Sequence, residues 1–504
     1  MRREVRARSR ATWPGSQSQL SRRRILVATL GAGGAALFAA ACGKEDPRQS
    51  TDAAQNAPAT QPARASAVAG SEVKTGGRLT AIVSSDPTGL DPVTGQGGGD
   101  HQFFWTMFDN LVNYNQKGEL DPAISLAEKW EIVGGTRINF TLRQGINFHD
   151  GTPFNAQAVK FNIERVQDEN TQSSARAQIL PAGKVEVIND TTVAFVMDKP
   201  NSALLTNLGD RGGAIISPAS IEKYGKDTGR NPVGTGPFKF KEWAQSDHIS
   251  VVKNPEYWGK DAAGTAFPYL DEMRWNVVPD ATVAVANLQS GTVDVIFPAS
   301  GDRDRIKSDP KFQVEEAISG GWSGSYINQA LAPMDDLHFR RAVALAHDRE
   351  AVVRAVTLGQ ARVAKGPLGP ASWAYNGDLK GLDLNLDEAQ KELAQSKYAN
   401  GTTVEVITIN TQPYLQVCEL LKQMLTKINV NFDIKPMATA ELTNRAYILK
   451  NAPVTQAGLS ARADPDGLLG ESLHSQGFYN PGHLPNPEMD SLVERARETY
   501  DQAE

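Results

Sequence analysis

Cysteine is almost missing from this chain. Two residues in 504, Cys42 and Cys418, cannot build a disulfide scaffold, and one thiol in the body cannot make a cysteine metal site. Aromatics are sparse at 7%. The seven histidines (His101, His149, His248, His338, His347, His474 and His483) show no zinc-ligand spacing. Gly95-Gln-Gly-Gly-Gly-Asp100 lacks the last glycine of a phosphate-cradling loop, and no Gly-Lys-Ser/Thr follows. Gly321-Trp-Ser-Gly-Ser325 fails the nucleophile elbow at its final position. Carboxylates are scattered, and sequence alone does not pair them for acid–base work. No catalytic residue, metal site or cofactor is therefore assigned.

What is present is a globular composition, 40% hydrophobic and 22% charged, enough for two or three domains and too apolar for disorder. Charge is unevenly placed. Residues 1–24 hold eight Arg against Glu4, a net +7 within an overall −6, so the remainder carries −13. An acidic body excludes a nucleic-acid partner, which requires a basic face. Residues 25–41 are uncharged, but Ala and Gly make up half or more of them. A membrane span wants about 20 strongly apolar residues, so basic head and weak apolar run read as an export signal. Ser21-Arg22-Arg23-Arg24-Ile25-Leu26 resembles a twin-arginine motif, with Arg22 and Arg23 as the pair. Ala39-Ala40-Ala41-Cys42 resembles a lipobox, with Ala39 where leucine is usual, and predicts lipidation at Cys42; a plain secreted protein is the alternative. Residues 43–75 are rich in Ala, Gln, Pro, Ser and Thr and have no aromatic, the composition of a flexible tether.

From residue 76 the pattern is mixed α/β. Alternation predicts strands at 77–86, 136–143, 248–253, 273–278, 293–297, 404–409 and 430–434, and a hairpin over 184–198 turning at Asn189-Asp190. Helical spacing predicts 339–358, 387–396 and, most clearly, 413–428, whose apolar stripe includes Val417, Leu421 and Leu425. Cys418 lies on that stripe and reads as core rather than nucleophile or ligand. His149-Asp150-Gly151 reads as a polar turn rather than a site.

Several blocks together resemble the family 5 extracytoplasmic solute-binding proteins of ABC importers, the dipeptide, oligopeptide and nickel binders. They are Leu126-Ala-Glu-Lys-Trp130, Phe148-His-Asp-Gly-Thr-Pro-Phe154, Asn231-Pro-Val-Gly-Thr-Gly-Pro-Phe238, Asn254-Pro-Glu-Tyr-Trp-Gly259, Leu288-Gln-Ser-Gly-Thr-Val-Asp294 and Phe339-Arg-Arg-Ala-Val-Ala-Leu-Ala-His-Asp-Arg-Glu350. Order and spacing agree from about Gly76 to the end. The resemblance implies an α/β, two-lobed periplasmic-binding-protein fold of class II type, with a small domain inserted in lobe I. It places a signal peptide at 1–42, a tether at 43–75, lobe I at 76–321 with the insertion at roughly 110–235, and lobe II at 322–504. Family members usually run on past the equivalent of Glu504 to return to lobe I, so the chain is expected to be truncated there.

The resemblance further implies a monomeric protein outside the cytoplasmic membrane, lipid-anchored at Cys42, that binds a small solute by lobe closure and passes it to permease subunits. The stretch near Gly321 matches the family's first crossing between lobes, which makes Trp322 and Asn328 cleft candidates; simple packing is the alternative for Trp322. Trp373 falls on a loop that often faces the cleft. His101 and Gln102 open a helix near the ligand loop, with a plain helix start as the alternative. Peptide binders carry an Asp just upstream of the equivalent of Asp464-Pro465. Here the stretch reads Ala461-Arg462-Ala463, so Arg462 faces either a ligand anion or Asp464 and Asp466. That exchange points away from plain peptides and toward anionic or modified small molecules. An extracellular hydrolase and a ligand-presenting sensor are the rival functions.

Overall fold

The computed structural model describes residues 73–499 except 96, 116–117, 317–319, 461 and 463. The export and lipidation readings at Arg22, Arg23 and Cys42 lie outside the described residues. Among those described, no helix is long and apolar enough to cross a membrane. The strands are β1 (Arg78–Val83), β2 (Ala127–Val133), β3 (Arg137–Leu142), β4 (Lys184–Asn189), β5 (Thr192–Val196), β6 (Phe238–Ala244), β7 (His248–Lys253), β8 (Glu272–Val277), β9 (Trp322–Ile327), β10 (Thr402–Ile409), β11 (Val430–Met437) and β12 (Val454–Leu459).

They form three four-stranded sheets, ordered β1-β8-β7-β6, β2-β3-β5-β4 and β11-β10-β12-β9. The second is wholly antiparallel and lies in sequence between β1 and β6 of the first. Alternation puts Ile138, Phe140 and Leu142 of β3 on one face, packed with Phe195, Val159 and Ile163 into a core of its own. These two sheets make up the first body of the molecule, and the third sheet makes up the second.

In the second body β10 runs parallel to both β11 and β12, and β9 closes the sheet antiparallel. Parallel neighbours need a crossover, which the helix Tyr414–Leu425 supplies between β10 and β11. Its Cys418, Leu421 and Leu425 pack on Val404, Val406, Val430 and Phe432. Cys418 is fully buried in this core, and burial pushes its thiol up to about 11, as expected of a packing residue. The opposite face carries Ile407, Ala457, Leu459, Trp322 and Tyr326. That face packs on Leu442, Ala446, Tyr447, Leu468 and Tyr479 from later in the same body.

Two of the expected elements differ, and strands β2, β6, β9 and β12 lie where none was predicted. Residues 339–358 form two helices, Leu337–Leu345 and Arg349–Thr357. The side chain of Asp348 accepts the amide of Ala351 at 2.9 Å, an N-cap that restarts the helix. Residues 293–297 make only a bridge, Val295 to Ala81, rather than a strand. Phe297 is exposed, and Pro298, which has no amide to donate, follows it. His149 and Asp150 hold a turn as expected. Nδ1 of His149 accepts the amide of Gly234, Nε2 donates to the Gly236 carbonyl, and Asp150 accepts the Ser217 hydroxyl.

Candidate ligand-binding site

The two bodies meet along a polar seam. From the first body come the start of the helix His101–Met107, the helix Arg176–Ile179 and residues 199–211. From the second come residues 460–498, which follow β12. The Ser202 amide donates to the Arg497 carbonyl at 2.7 Å. Thr206 Oγ1 donates to Asp464 at 3.1 Å, and Lys199 pairs with Glu498 at 3.1 Å. Gly98 of the first body faces Ser460 so closely that an added Cβ would sit 2.6 Å from its Oγ.

At the centre of the seam lies Arg462, its side chain only 9% exposed. Nε stands 3.4 Å from Asp210 of the first body, and a terminal nitrogen 3.7 Å from Glu471 of its own. Burial alone would discharge the guanidinium, but the attraction of Asp210 and Glu471 outweighs it and raises its affinity for the proton. His101 places one ring nitrogen 2.9 Å from the Gly98 carbonyl and the other 2.6 Å from Asp210. Burial opposes charge on Asp210, yet His101 and Arg462 hold its carboxyl well below the usual range. Glu471 has the opposite balance. Burial pushes it up to about 7, and Arg462 offsets only part of that.

An aromatic wall adjoins this cluster. Trp322 packs on Tyr326 with ring centroids 4.9 Å apart, and Tyr447 links Tyr326 to Tyr479. Trp322 Nε1 and the Tyr326 hydroxyl are buried without a hydrogen-bond partner among the described residues. Burial first, then nearby Tyr479 and Glu471, raises the Tyr326 phenol, so it stays a neutral donor.

The expected site residues therefore fall in different places. His101, Arg462 and Asp464 all lie on the seam. Arg462 pairs with Asp210 and Glu471, whereas Asp466 pairs with Arg497 at 2.6 Å. Trp322 belongs to the aromatic wall. Gln102 donates to the Gly99 carbonyl at its helix start. Asn328 is buried and ties the end of β9 by accepting the Ala330 amide and donating to the Lys450 carbonyl. Trp373 is 58% exposed on the long segment between the helices Arg349–Thr357 and Leu386–Gln395. Sequence reading missed Asp210, Glu471, Gln178 and Tyr326. Their partners stand up to 293 residues away, and no local pattern marks such pairs. Among the described residues no group of three or more His, Cys, Asp or Glu is placed to hold a metal ion.

A cavity of about 2260 Å³ runs along β9, between residues 294–316 and the second body's helices, with Trp322, Val353, Val417 and Tyr375 on its walls. It exceeds the usual size of a small-ligand pocket, and neither Asp210, Arg462 nor Glu471 lines it. The charged groups of the seam thus lie outside this cavity.

Two bodies with a polar, partly unsatisfied seam between them define a binding protein. The family model for bacterial extracellular solute-binding proteins, family 5 (Middle), matches residues 121–480, and the chain belongs to that family. Its architecture is the two-lobed periplasmic-binding-protein fold, and its family is one of extracellular solute-binding proteins. Heme-binding protein A of Haemophilus influenzae is 32% identical over 427 residues, 77% of this chain and 76% of that protein. Glutathione-binding protein GsiB of Escherichia coli K12 is 28% identical over 439 residues, 84% of each. Among solved structures, the ABC transporter-associated periplasmic binding protein DppA of Helicobacter pylori, in complex with peptide STSA, has a TM-score of 0.78 at 23% identity. That match covers 85% of this chain and 88% of the other.

Proposed function

We propose that this chain is the exported, lipid-anchored capture subunit of an ABC importer, and that its lobes close over a small carboxylate-bearing solute of the glutathione class. The observation that carries the reading is the seam itself: a buried guanidinium, Arg462, and an adjoining aromatic wall with two buried donors, Trp322 Nε1 and the Tyr326 hydroxyl, that no group among the described residues satisfies. An unsatisfied buried donor costs about 1–3 kcal/mol. Carboxylate and amide oxygens on a solute would accept from these groups and recover that cost. The tyrosine rings of the aromatic wall and Trp322 would cover its apolar parts. The glutathione-binding relative is consistent with such a ligand.

His101 and Asp464 act from the two sides of the closing cleft. Gln102 and Asn328 set the backbone on which it rests, and Trp373 reaches the solute from its loop. Export through Arg22 and Arg23 and lipidation at Cys42 keep the body beside its permease. Isothermal titration of the protein with glutathione, haemin and a dipeptide tests the ligand class. Glutathione is expected to bind one to one, and Arg462→Ala to weaken it at least about tenfold, as loss of a charged hydrogen bond should. Absence of heat with glutathione, or equal affinity in the variant, overturns the assignment.

A further inference from the structure

Taking the seam as the closing cleft, as the proposed function does, we propose that Glu471 and Gln178 form a proton-linked latch. The lobes close with one proton on the Glu471 carboxyl, so capture takes up a proton and alkaline conditions open the cleft.

Gln178 belongs to the first lobe and Glu471 to the second, and both are almost fully buried. Gln178 Nε2 donates to Glu471 Oε1 at 2.5 Å, a hydrogen bond that exists only when the lobes are together. Glu471 Oε2 is buried with no hydrogen-bond partner among the described residues. Positive charge is short at this point. Arg462 serves both Asp210 and Glu471, and Asp210 is the better supplied, with His101 at 2.6 Å and the Arg211 amide at 2.8 Å.

The other groups around Glu471 do not make up the deficit. Asp466, on its own helix Asp466–Ser472, adds negative charge that Arg497 takes up at 2.6 Å. Tyr479 and Tyr326 are neutral. Arg211, from the first lobe, directs its guanidinium to the Gly95 and Gly97 carbonyls. A carboxylate-bearing solute would add a further negative charge to this seam. A proton on Oε2 relieves the excess and gives the solute a donor.

The sign follows. Opening returns Glu471 to water and to its ordinary 4.5, whereas closure holds it near 7. Closure therefore takes up a proton between those values, and the closed form loses ground as pH rises through about 7.

Small-angle scattering of the full chain without added solute, from pH 5.5 to 8.5, tests the latch. The radius of gyration is expected to be small at pH 5.5 and larger at pH 8.5. The non-titrating variants Glu471→Gln and Glu471→Met, checked as folded by circular dichroism, are expected to lack that transition. A radius independent of pH in the parent, or an unchanged transition in both variants, overturns the latch. Titration with glutathione at pH 7 in two buffers of different ionisation heat separates the two proposals. A scattering transition with no glutathione heat leaves the latch standing and removes the ligand class. Glutathione binding without proton uptake, together with a flat radius, does the reverse.

Discussion

Asp210 and Glu471 share one guanidinium, yet the carboxyl of Asp210 is held well below the usual range while that of Glu471 is pushed up to about 7, and His101 reinforces only the first. Asp210 also keeps more contact with solvent, 18% of its side chain against 4% for Glu471, so exposure and the immediate partners together separate the two. The same logic applies to buried histidines away from the seam. His149 is lowered to about 4, chiefly by burial, and both ring nitrogens are already used by backbone groups in its neutral form. The unfolded chain would protonate it near 6.5. Its contribution is therefore intact above pH 6.5 and lost as pH falls toward 4. Chemical unfolding at pH 6.5 and pH 5 is expected to show an acid loss that shrinks in His149→Gln, by up to about 1.4 kcal/mol per pH unit. An equal loss in the variant would assign the acid sensitivity elsewhere.

The helix Tyr414–Leu425 is the element on which the second lobe's core depends. Leu421 is buried among Val404, Val406 and Phe432, so Leu421→Ala should cost about 2–5 kcal/mol in urea unfolding. A cost under 1 kcal/mol would mean that this core repacks. The helix was legible in the sequence because its apolar stripe repeats at 3.6 residues, and most strands were legible because they alternate. The break at Asp348 was not, since the apolar spacing continues across it and only the cap marks it. The 293–297 segment has a strand's composition, but it finds a pairing partner only at Val295. The seam was legible in part. Arg462 stood out as a cation where peptide binders carry an acid, while its partners Asp210 and Glu471 lie on elements that folding alone brings together.

At the scale of the whole molecule, function depends on two lobes approaching closely at a few points. Gly98 and Ser460 form one such point, where an added Cβ would meet the Ser460 hydroxyl and a larger side chain would meet Ser460 itself. Gly98→Leu is expected to hold the lobes apart, weakening solute affinity at least about tenfold while thermal stability stays near the parent's. Unchanged affinity would show that the lobes need not meet there. The central claim, that the lobes enclose a carboxylate-bearing solute at Arg462, is tested most directly by native mass spectrometry of the full-length protein purified from its own host. The account predicts one small molecule per chain, released on denaturation, identifiable as a carboxylate and missing from Arg462→Ala. A bare protein mass in the parent, or the same molecule retained undiminished by the variant, would contradict it.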